Sequence, residues 1–287
     1  MAHAVIIGCG YVGIELGTQL QAAGHTVTGV RRSESGLNSI EAAGFHAQQA
    51  DVTHPETLST LPDAKWVIFA ASSGGRGAES ARRIYVDGLR NTIAAYAERE
   101  STDRLIYTSS TGVYGDHNGE FVDESTSLDP TTEKTQVLKT AESIALEETG
   151  DVGIDGTVAR FAGLYGPNRY RLTRYLSGPV TEGYLNMIHR DDAAGVINHV
   201  LTVDVAREEC VLAVDDEPAD KWTFADWIAT ACGRPDPPKQ TVSERLAKSN
   251  LSETAQRRVR TSKRCSNDYL HELDYTFSYP TYREGYA

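Results

Sequence analysis

The sequence has few cysteines, and they are not arranged for metal binding or cross-linking. Cys9, Cys210, Cys232 and Cys265 lie far apart, with no Cys-x-x-Cys pair and no histidines at matching spacing. We therefore expect neither a metal site nor a disulfide framework.

Long hydrophobic runs and excess positive charge are also missing. No apolar run approaches the roughly 20 residues that span a bilayer, and the first residues show no basic region or cleavage site. We therefore expect a cytoplasmic protein without a membrane partner. Asp and Glu number 40 against 28 Lys and Arg, which gives a net charge of -12. An acidic surface repels polyanions, so nucleic acid is not an expected partner.

A glycine-rich stretch near the N-terminus is the most informative motif. A short apolar strand runs into Gly-Cys-Gly-Tyr-Val-Gly and then into a helical pattern. In this context Gly8 allows a tight turn, Gly10 lets phosphates approach the backbone, and Gly13 lets the helix pack on the strand. A helix start also attracts anions. The alternative is an ordinary glycine-rich turn between strand and helix. The predicted pyrophosphate-binding residues are Gly8, Cys9, Gly10, Tyr11, Val12 and Gly13.

Strand and helix patterns alternate through the first two-thirds of the chain. This alternation predicts an α/β fold, a Rossmann-like doubly wound parallel sheet with helices on both faces. We predict that residues 1–165, with about 188–216, form the dinucleotide-binding domain. Residues 166–187 and 217–287 are predicted to form a smaller C-terminal substrate-binding lobe over the carboxyl ends of the strands.

The residues after the second predicted strand indicate which dinucleotide is bound. Arg31 and Arg32 stand where NAD-binding proteins carry an acidic residue for the ribose hydroxyls. Because a guanidinium can bind a phosphate with two hydrogen bonds, we predict NADP, with NAD as the second choice. The alternative is that both arginines are solvated charges on an NAD-binding protein. Further cofactor contacts are predicted after the third and fourth strands, at Asp51, Val52, Ala70 and Ala71.

Four stretches of the sequence resemble the extended and atypical short-chain dehydrogenase/reductases, the NAD(P)-dependent epimerase/dehydratase group. The resemblance implies action on nucleotide-linked sugars or related small hydroxyl and carbonyl compounds. Members of the group often form dimers through two long helices, so the resemblance allows a homodimer. The stretches that carry it are residues 8–13, 107–115, 159–167 and 188–193.

The resemblance also implies a Ser, a Tyr and a Lys that act together in hydride transfer. Ser110 matches the Ser that binds the substrate oxygen, and Lys139 matches the Lys that holds the nicotinamide ribose. Four residues before Lys139, however, stands Thr135 and not Tyr. A threonine hydroxyl is too weak an acid to replace a phenol, whose free pKa is about 10.

Three explanations of this substitution stay open at the level of sequence. Another group supplies the proton, such as Tyr114, a side chain of residues 169–175, or a water held by Thr135. Alternatively, the reaction needs no phenol, or the protein binds NADP without chemistry.

Candidate substrate contacts lie after the predicted nucleotide-binding strands. Arg169 and Arg174 either grip a substrate phosphate or are surface charges. His189 either contacts substrate or begins a helix whose first turn carries Asp191 and Asp192.

The leading hypothesis is an NADP-dependent oxidoreductase or epimerase-like enzyme acting on a sugar, a nucleotide-sugar or a similar small molecule, with Ser110, Thr135, Lys139 and Tyr114 as candidate active-site residues. The alternative is a catalytically silent NADP-binding sensor or regulatory protein. A third hypothesis is a lyase or dehydratase that uses the cofactor transiently.

Overall fold

A seven-stranded parallel sheet forms the centre of the computed structural model, which describes residues 1–74, 77–248 and 250–287. The strands of the described residues are β1 (His3–Ile7), β2 (Thr26–Arg31), β3 (His46–Gln49), β4 (Trp66–Phe69), β5 (Arg104–Ser110), β6 (Phe121–Val122), β7 (Asp155–Phe161), β8 (Gly163–Tyr165), β9 (Val180–Thr181), β10 (Tyr184–Leu185), β11 (Met187–His189), β12 (Cys210–Ala213), β13 (Ala219–Asp220), β14 (Lys239–Gln240) and β15 (Arg264–Cys265).

Helices connect these strands and cover the sheet. They are α1 (Tyr11–Ala22), α2 (Glu34–Ala42), α3 (Pro55–Leu58), α4 (Ala78–Arg82), α5 (Gly88–Ala97), α6 (Glu133–Ser143), α7 (Thr173–Leu176), α8 (Arg190–His199), α9 (Lys221–Ala231), α10 (Val242–Ala247), α11 (Glu253–Arg260), α12 (Asp268–Glu272) and α13 (Tyr282–Gly285). Single π-helical turns at Arg83–Asp87, Ile144–Glu148 and Val200–Asp204 follow α4, α6 and α8 directly.

The strand order is β12-β7-β5-β4-β1-β2-β3, and every neighbouring pair is parallel. The chain reverses its direction of winding between β1 and β4, where ligands bind in open α/β sheets. Strand β1 is apolar because helices cover both faces of a parallel sheet, and Ala4 to Ile7 are buried. The predicted fold class, a Rossmann-like doubly wound sheet, is confirmed.

A second, smaller hydrophobic cluster lies outside the central sheet. It includes Tyr175, Phe224 and Ile228 from α7 and α9, and Tyr282 from α13. The two-stranded pairings β9 with β14 and β10 with β13 belong to the same part of the chain. These residues fall in the segments predicted as the substrate lobe, and the division into two units stays a prediction.

One segment of the predicted lobe packs elsewhere. Cys265, Leu270, Tyr275 and Phe277 belong to the main hydrophobic cluster around the sheet. The sequence did not indicate this return, because the segment is polar and irregular in pattern. In the part of the chain that the structure describes, no helix is both long and apolar enough to cross a membrane.

Candidate active site

The glycine stretch forms a cradle between β1 and α1. Gly8 has φ +79°, and a Cβ there would lie 2.3 Å from the Cα of Ala71. At Gly10 a Cβ would lie 2.6 Å from Nη1 of Arg31. Gly8 therefore needs to be glycine, because its φ is positive and a Cβ would meet backbone atoms. At Gly10 a side chain would displace the end of Arg31 and fill the space above the turn.

The start of α1 leaves backbone N–H groups available to an anion. No side chain among the described residues caps the helix, and the N–H of Ile14 makes the bond to the Gly10 carbonyl at 2.8 Å. The N–H groups of Gly8 and Cys9 donate to the carbonyl of Val30, whereas those of the first turn of α1 have no partner within the helix. The peptide dipoles favour negative charge at this helix end. These residues fit the pyrophosphate of a dinucleotide.

The end of β2 borders the same cleft. Arg31, Arg32 and Ser33 line it together with Asp51 and Val52. Nη1 of Arg32 lies 3.5 Å from Oδ2 of Asp51. Burial alone would raise the pKa of the Asp51 carboxyl, but hydrogen bonds from Thr53 and the charge of Arg32 hold that pKa below its usual value.

The residues after β4 and β5 form the opposite wall of the cleft. Ala70 and Ala71 line it, as do Ser110 and Thr135. Oγ of Ser110 accepts a hydrogen bond from the N–H of Gly112 at 3.2 Å, which leaves the hydroxyl hydrogen available to another group. Ser110 thus lines the cleft, and its role with a substrate oxygen stays a prediction.

Thr135 uses its hydroxyl to begin α6. Its Oγ1 donates to the carbonyl of Thr132 at 2.9 Å and accepts the N–H of Thr132 at 3.0 Å. The side chain of Thr132 in turn accepts the N–H of Thr135, so the two residues form a capping box. The single hydroxyl hydrogen of Thr135 is thus already committed to the helix end.

The structure does not bring Tyr114 into the cleft. Its Oη donates to the carbonyl of Asp123 at 2.7 Å and accepts a hydrogen bond from Nη1 of Arg160 at 2.6 Å. Arg160 also pairs with Glu142, at 2.9 Å between Nη2 and Oε2, inside the protein. Burial raises the pKa of Tyr114 far above its usual value. The phenol satisfies a buried guanidinium and has no route to a ligand.

Four other predicted site residues also lie outside the residues that line the cleft. Nζ of Lys139 donates to the carbonyl of Leu128 at 3.3 Å. The guanidinium of Arg174 lies over the ring of Tyr175 at 5.7 Å. Burial raises the pKa of the Cys9 thiol to about 12, so this residue is a small neutral side chain under the turn.

The fourth of these residues, His189, begins α8. Its Nδ1 accepts the N–H of Asp191 at 3.3 Å, and the residue is 2% exposed. Burial lowers the pKa of the imidazole against the opposing charge of Asp191. This arrangement matches the helix-start interpretation of His189 and not the substrate contact.

The cleft has a volume of about 1230 Å³. Because pockets for small ligands typically hold about 300–1,000 Å³, this one has room for a dinucleotide and a second ligand. Its charge is opposite to that of the protein as a whole. Among the described residues, one carboxylate lines the cleft, Asp51, against six cations: Arg31, Arg32, Lys134, Arg169, Arg258 and Lys263.

Several residues that line the cleft were not predicted from the sequence. Lys134 and Tyr85 line it from α6 and from the π-helical turn, and Tyr184, Arg258 and Lys263 line it from the segments predicted as the smaller lobe. Lys134 directly precedes Thr135, a predicted site residue, so its position in the sequence could have indicated that it lines the cleft. Residues 184, 258 and 263 carried none, because they lie in segments without a motif.

Comparison with known proteins identifies the family. A family model described as NAD(P)H-binding matches residues 8–204. This span begins at the first glycine of the cradle. The chain belongs to this NAD(P)H-binding family. A nicotinamide dinucleotide is therefore the class of cofactor that this family binds.

Individual relatives agree with this assignment. Protein YeeZ of Escherichia coli (strain K12) is 31% identical over 212 residues, which cover 70% of this chain and 73% of that protein. A 3 beta-hydroxysteroid dehydrogenase/Delta 5→4-isomerase of Mycobacterium tuberculosis (strain ATCC 25618 / H37Rv) is 25% identical over 258 residues, 79% of this chain and 68% of that protein.

A solved structure from Methylobacillus flagellatus, provisionally described as an NAD-dependent epimerase/dehydratase, superposes with a TM-score of 0.78 at 29% identity. The match covers 99% of this chain and 96% of that chain. The expected resemblance to the NAD(P)-dependent epimerase/dehydratase group is confirmed.

Proposed function

We propose that this member of the family is an NADP-dependent oxidoreductase or epimerase-like enzyme. Its substrate would be a hydroxyl- or carbonyl-bearing small molecule, such as a sugar or nucleotide-linked sugar. The observation that carries the proposal is the large cationic cleft over the carboxyl ends of β1, β4 and β5. A bound nicotinamide cofactor supplies a hydride donor or acceptor there.

The arginines at the end of β2 support NADP over NAD. Arg31 and Arg32 both line the cleft, and the position after β2 has no carboxylate that would repel a 2′-phosphate. Asp51 is the group that favours NAD, because a carboxylate can accept the ribose hydroxyls. It is already paired with Arg32 and bonded by Thr53, so it competes weakly for the cofactor.

The charge of the remaining cleft supports an anionic substrate. Arg169, Arg258 and Lys263 line the cleft in addition to the two arginines assigned to the cofactor. A guanidinium binds phosphate or carboxylate through paired hydrogen bonds. We leave Arg174 and His189 out of this site, because neither lines the cleft.

Two of the predicted active-site residues keep a place in the proposal. Ser110 would orient the substrate oxygen through its free hydroxyl hydrogen. Thr135 would shape the wall without acting as an acid, since its hydrogen serves Thr132. The role of Lys139 on the cofactor ribose stays a prediction, and in the structure this lysine bonds Leu128.

A catalytically silent sensor is the second candidate, favoured by the threonine at position 135. It would bind NADPH through the same cradle and turn nothing over. A lyase or dehydratase that uses the cofactor transiently would instead form product with catalytic amounts of cofactor and no net consumption of it.

Turnover with a matched panel of compounds tests these candidates. NADPH oxidation is measured with phosphorylated keto sugars and nucleotide-linked keto sugars, each beside its uncharged analogue. We expect oxidation with an anionic compound and much less with its uncharged analogue. NADPH binding without turnover of any compound would favour the sensor, and failure to bind either NADPH or NADH would contradict both candidates.

We also propose that the protein works in the cytoplasm on small molecules, without nucleic acid. Its net charge of -12 supports the second part. A homodimer is a proposal from the family alone, and sedimentation in solution tests it.

A further inference from the structure

The proposed reaction needs a proton for the substrate oxygen, and the predicted donors do not provide it. Thr135 has committed its hydroxyl hydrogen, and Tyr114 is sealed beside Arg160. Among the described residues, three tyrosines line the cleft instead: Tyr11, Tyr85 and Tyr184.

Two of these three phenols lie beside arginines. Tyr11 follows the glycine turn, and the guanidinium of Arg169 lies 5.1 Å from the centre of its ring. Burial raises the pKa of Tyr11, and the charges of Arg190 and Arg169 do not outweigh this effect. Tyr184 belongs to the smaller lobe, in strand β10, under the guanidinium of Arg264 at 5.1 Å. Tyr85, the third tyrosine, is distinguished among the described residues by a backbone N–H, that of Ser73, which donates to its phenolic oxygen.

Tyr85 has the surroundings that an acid–base phenol needs. It lies in the π-helical turn between α4 and α5, which packs against α6, the helix that carries Thr135. The residue is 8% exposed, so its ring is fixed in place while its edge borders the cleft. π-helical turns inside helices are frequent at functional sites.

The hydrogen bonding of Tyr85 leaves its proton usable. Oη of Tyr85 accepts the backbone N–H of Ser73 at 3.2 Å. This bond uses a lone pair of the oxygen and not the phenolic hydrogen, and it stabilises the phenolate after the proton has left. Ser72, the next residue toward β4, also lines the cleft.

Charges near Tyr85 act in the same direction. Burial alone would raise the pKa of this phenol, but the hydrogen bonds from Ser73 and the positive charge of Lys134 on α6 bring that pKa below its usual value. The titratable neighbour on β5 is Tyr107, whose pKa burial raises far above its usual value, so it stays neutral.

We propose that Tyr85 is the general acid and base of this site and that Lys134 positions and stabilises its ionised form. The inference rests on the proposed function. In the reductive direction the substrate carbon receives a hydride from the reduced cofactor, and the C=O π bond breaks. The oxygen takes the proton of Tyr85, the O–H bond of the phenol breaks, and the phenolate regains a proton from water. The pair thus replaces the missing Tyr-x-x-x-Lys motif with residues from two different helices.

Titration of the phenol tests this pair without any substrate. Protein labelled with ¹³C at the ζ carbon of tyrosine is titrated by NMR, and Tyr85→Phe assigns the resonance. The resonance that is absent from the spectrum of Tyr85→Phe belongs to Tyr85, and we expect it to titrate below the usual tyrosine range. Lys134→Gln should move this titration upward, and Lys134→Arg should restore it.

A matched control distinguishes this effect from a general one. Tyr269 does not line the cleft, and burial with its bond to Glu209 raises its pKa to about 12. Tyr269→Phe should leave the low titration in place. If the Tyr85 resonance titrates at or above the usual range, or does not respond to Lys134→Gln, the pairing is wrong even when NADPH binds normally.

Turnover then tests the catalytic part. Tyr85→Phe should bind NADPH as the unmodified protein does and lose turnover by roughly 10²–10⁴-fold, the usual contribution of a positioned acid or base. Lys134→Gln should shift the pH profile of turnover, and Lys134→Arg should recover it. Equal turnover by Tyr85→Phe and the unmodified protein would overturn the inference and leave the proposed function standing. Absence of turnover in the unmodified protein would overturn the proposed function and the catalytic role with it.

Discussion

Replacing the two arginines at the end of β2 separates the two forms of the cofactor. Nη1 of Arg31 lies near Gly10, and the stem of this side chain packs beside Gly36. The substitution Arg31→Met keeps most of this stem and removes only the charged group. We expect the affinity for NADPH to fall and the affinity for NADH to stay nearly unchanged, because only NADPH carries the 2′-phosphate.

The size of the effect follows from the kind of bond that is lost. Hydrogen bonds to charged groups are worth about 1.5–3 kcal/mol. Since about 1.4 kcal/mol corresponds to a tenfold change, Arg31→Met should weaken NADPH binding roughly 10- to 150-fold.

The neighbouring arginine should behave differently. The Arg32 side chain is 56% exposed and paired with Asp51, so solvent screens its charge. We expect Arg32→Met to weaken NADPH binding only a few-fold by the same screening argument. The substitution also releases Asp51, whose carboxylate can then accept the ribose hydroxyls, so NADH binding should improve.

Isothermal titration calorimetry with both cofactors measures these changes. The control is Arg234→Met, because Arg234 is exposed and does not line the cleft. If Arg31→Met weakens NADPH and NADH equally, the residue supports the fold of the cradle and does not recognise the 2′-phosphate. If it weakens neither, the adenosine end of the cofactor lies elsewhere.

Three further substitutions test the fold around the site. Gly8→Ala should abolish cofactor binding and lower the melting temperature, because its Cβ would lie 2.3 Å from the Ala71 backbone at φ +79°. Normal cofactor binding by this variant in calorimetry would contradict the assignment of the glycine turn to the cofactor. Tyr114→Phe leaves a buried donor of Arg160 unpaired and should cost about 1–3 kcal/mol of unfolding free energy in urea titration. Val113→Ala is a comparison that forms a cavity and keeps the phenol. Unchanged stability of Tyr114→Phe would show that the phenol is not bonded as described. Burial holds the pKa of His189 below 6.5, so protonation of this residue favours the unfolded chain. The protein should therefore lose stability as the pH falls below 6.5 toward the lowered pKa of the folded state. His189→Asn keeps a helix-capping acceptor, and between about pH 7 and about pH 5 it should lose less stability than the unmodified protein. Equal losses of stability by the two proteins in thermal denaturation would refute the assignment.

The fold and the glycine turn beside the cleft were predictable from the sequence because their residues are contiguous. The turn from Gly8 to Gly13 carries the strand, the turn and the helix start within a few residues, so local sequence is enough to define the cradle. Arg31 and Arg32 likewise follow directly from the end of β2. Ser110 and Thr135 sit at fixed distances from recognisable motifs, and both line the cleft.

The proposed catalytic end was harder to predict because it depends on side-chain direction and on contacts between distant segments. Helical spacing places Lys134 and Lys139 close to Thr135 on α6, but Lys139 turns to the loop carbonyl of Leu128 and Lys134 lines the cleft. A comparison of Lys134→Gln with Lys139→Gln shows which of the two serves the site, and we expect the larger loss of turnover from Lys134→Gln.

The role proposed for Tyr85 was also not predictable from local sequence. In the sequence Tyr85 is one apolar position of a helical pattern, and its burial satisfies that pattern completely. Its meeting with Lys134 requires the π-helical turn to pack against α6, a helix about fifty residues further along the chain, and local periodicity does not encode such a contact. Arg258 and Lys263 reach the cleft from a polar segment whose course no periodicity indicates.

A crystal structure of the protein with NADPH is the most direct test of the account. The account predicts the pyrophosphate at the start of α1, the 2′-phosphate within hydrogen-bonding distance of Arg31, and the phenol of Tyr85 facing the nicotinamide end of the cofactor. A cofactor whose ribose hydroxyls bind Asp51 while Arg31 points into solvent would contradict the preference for NADP, and a cofactor outside the cradle would contradict the whole account.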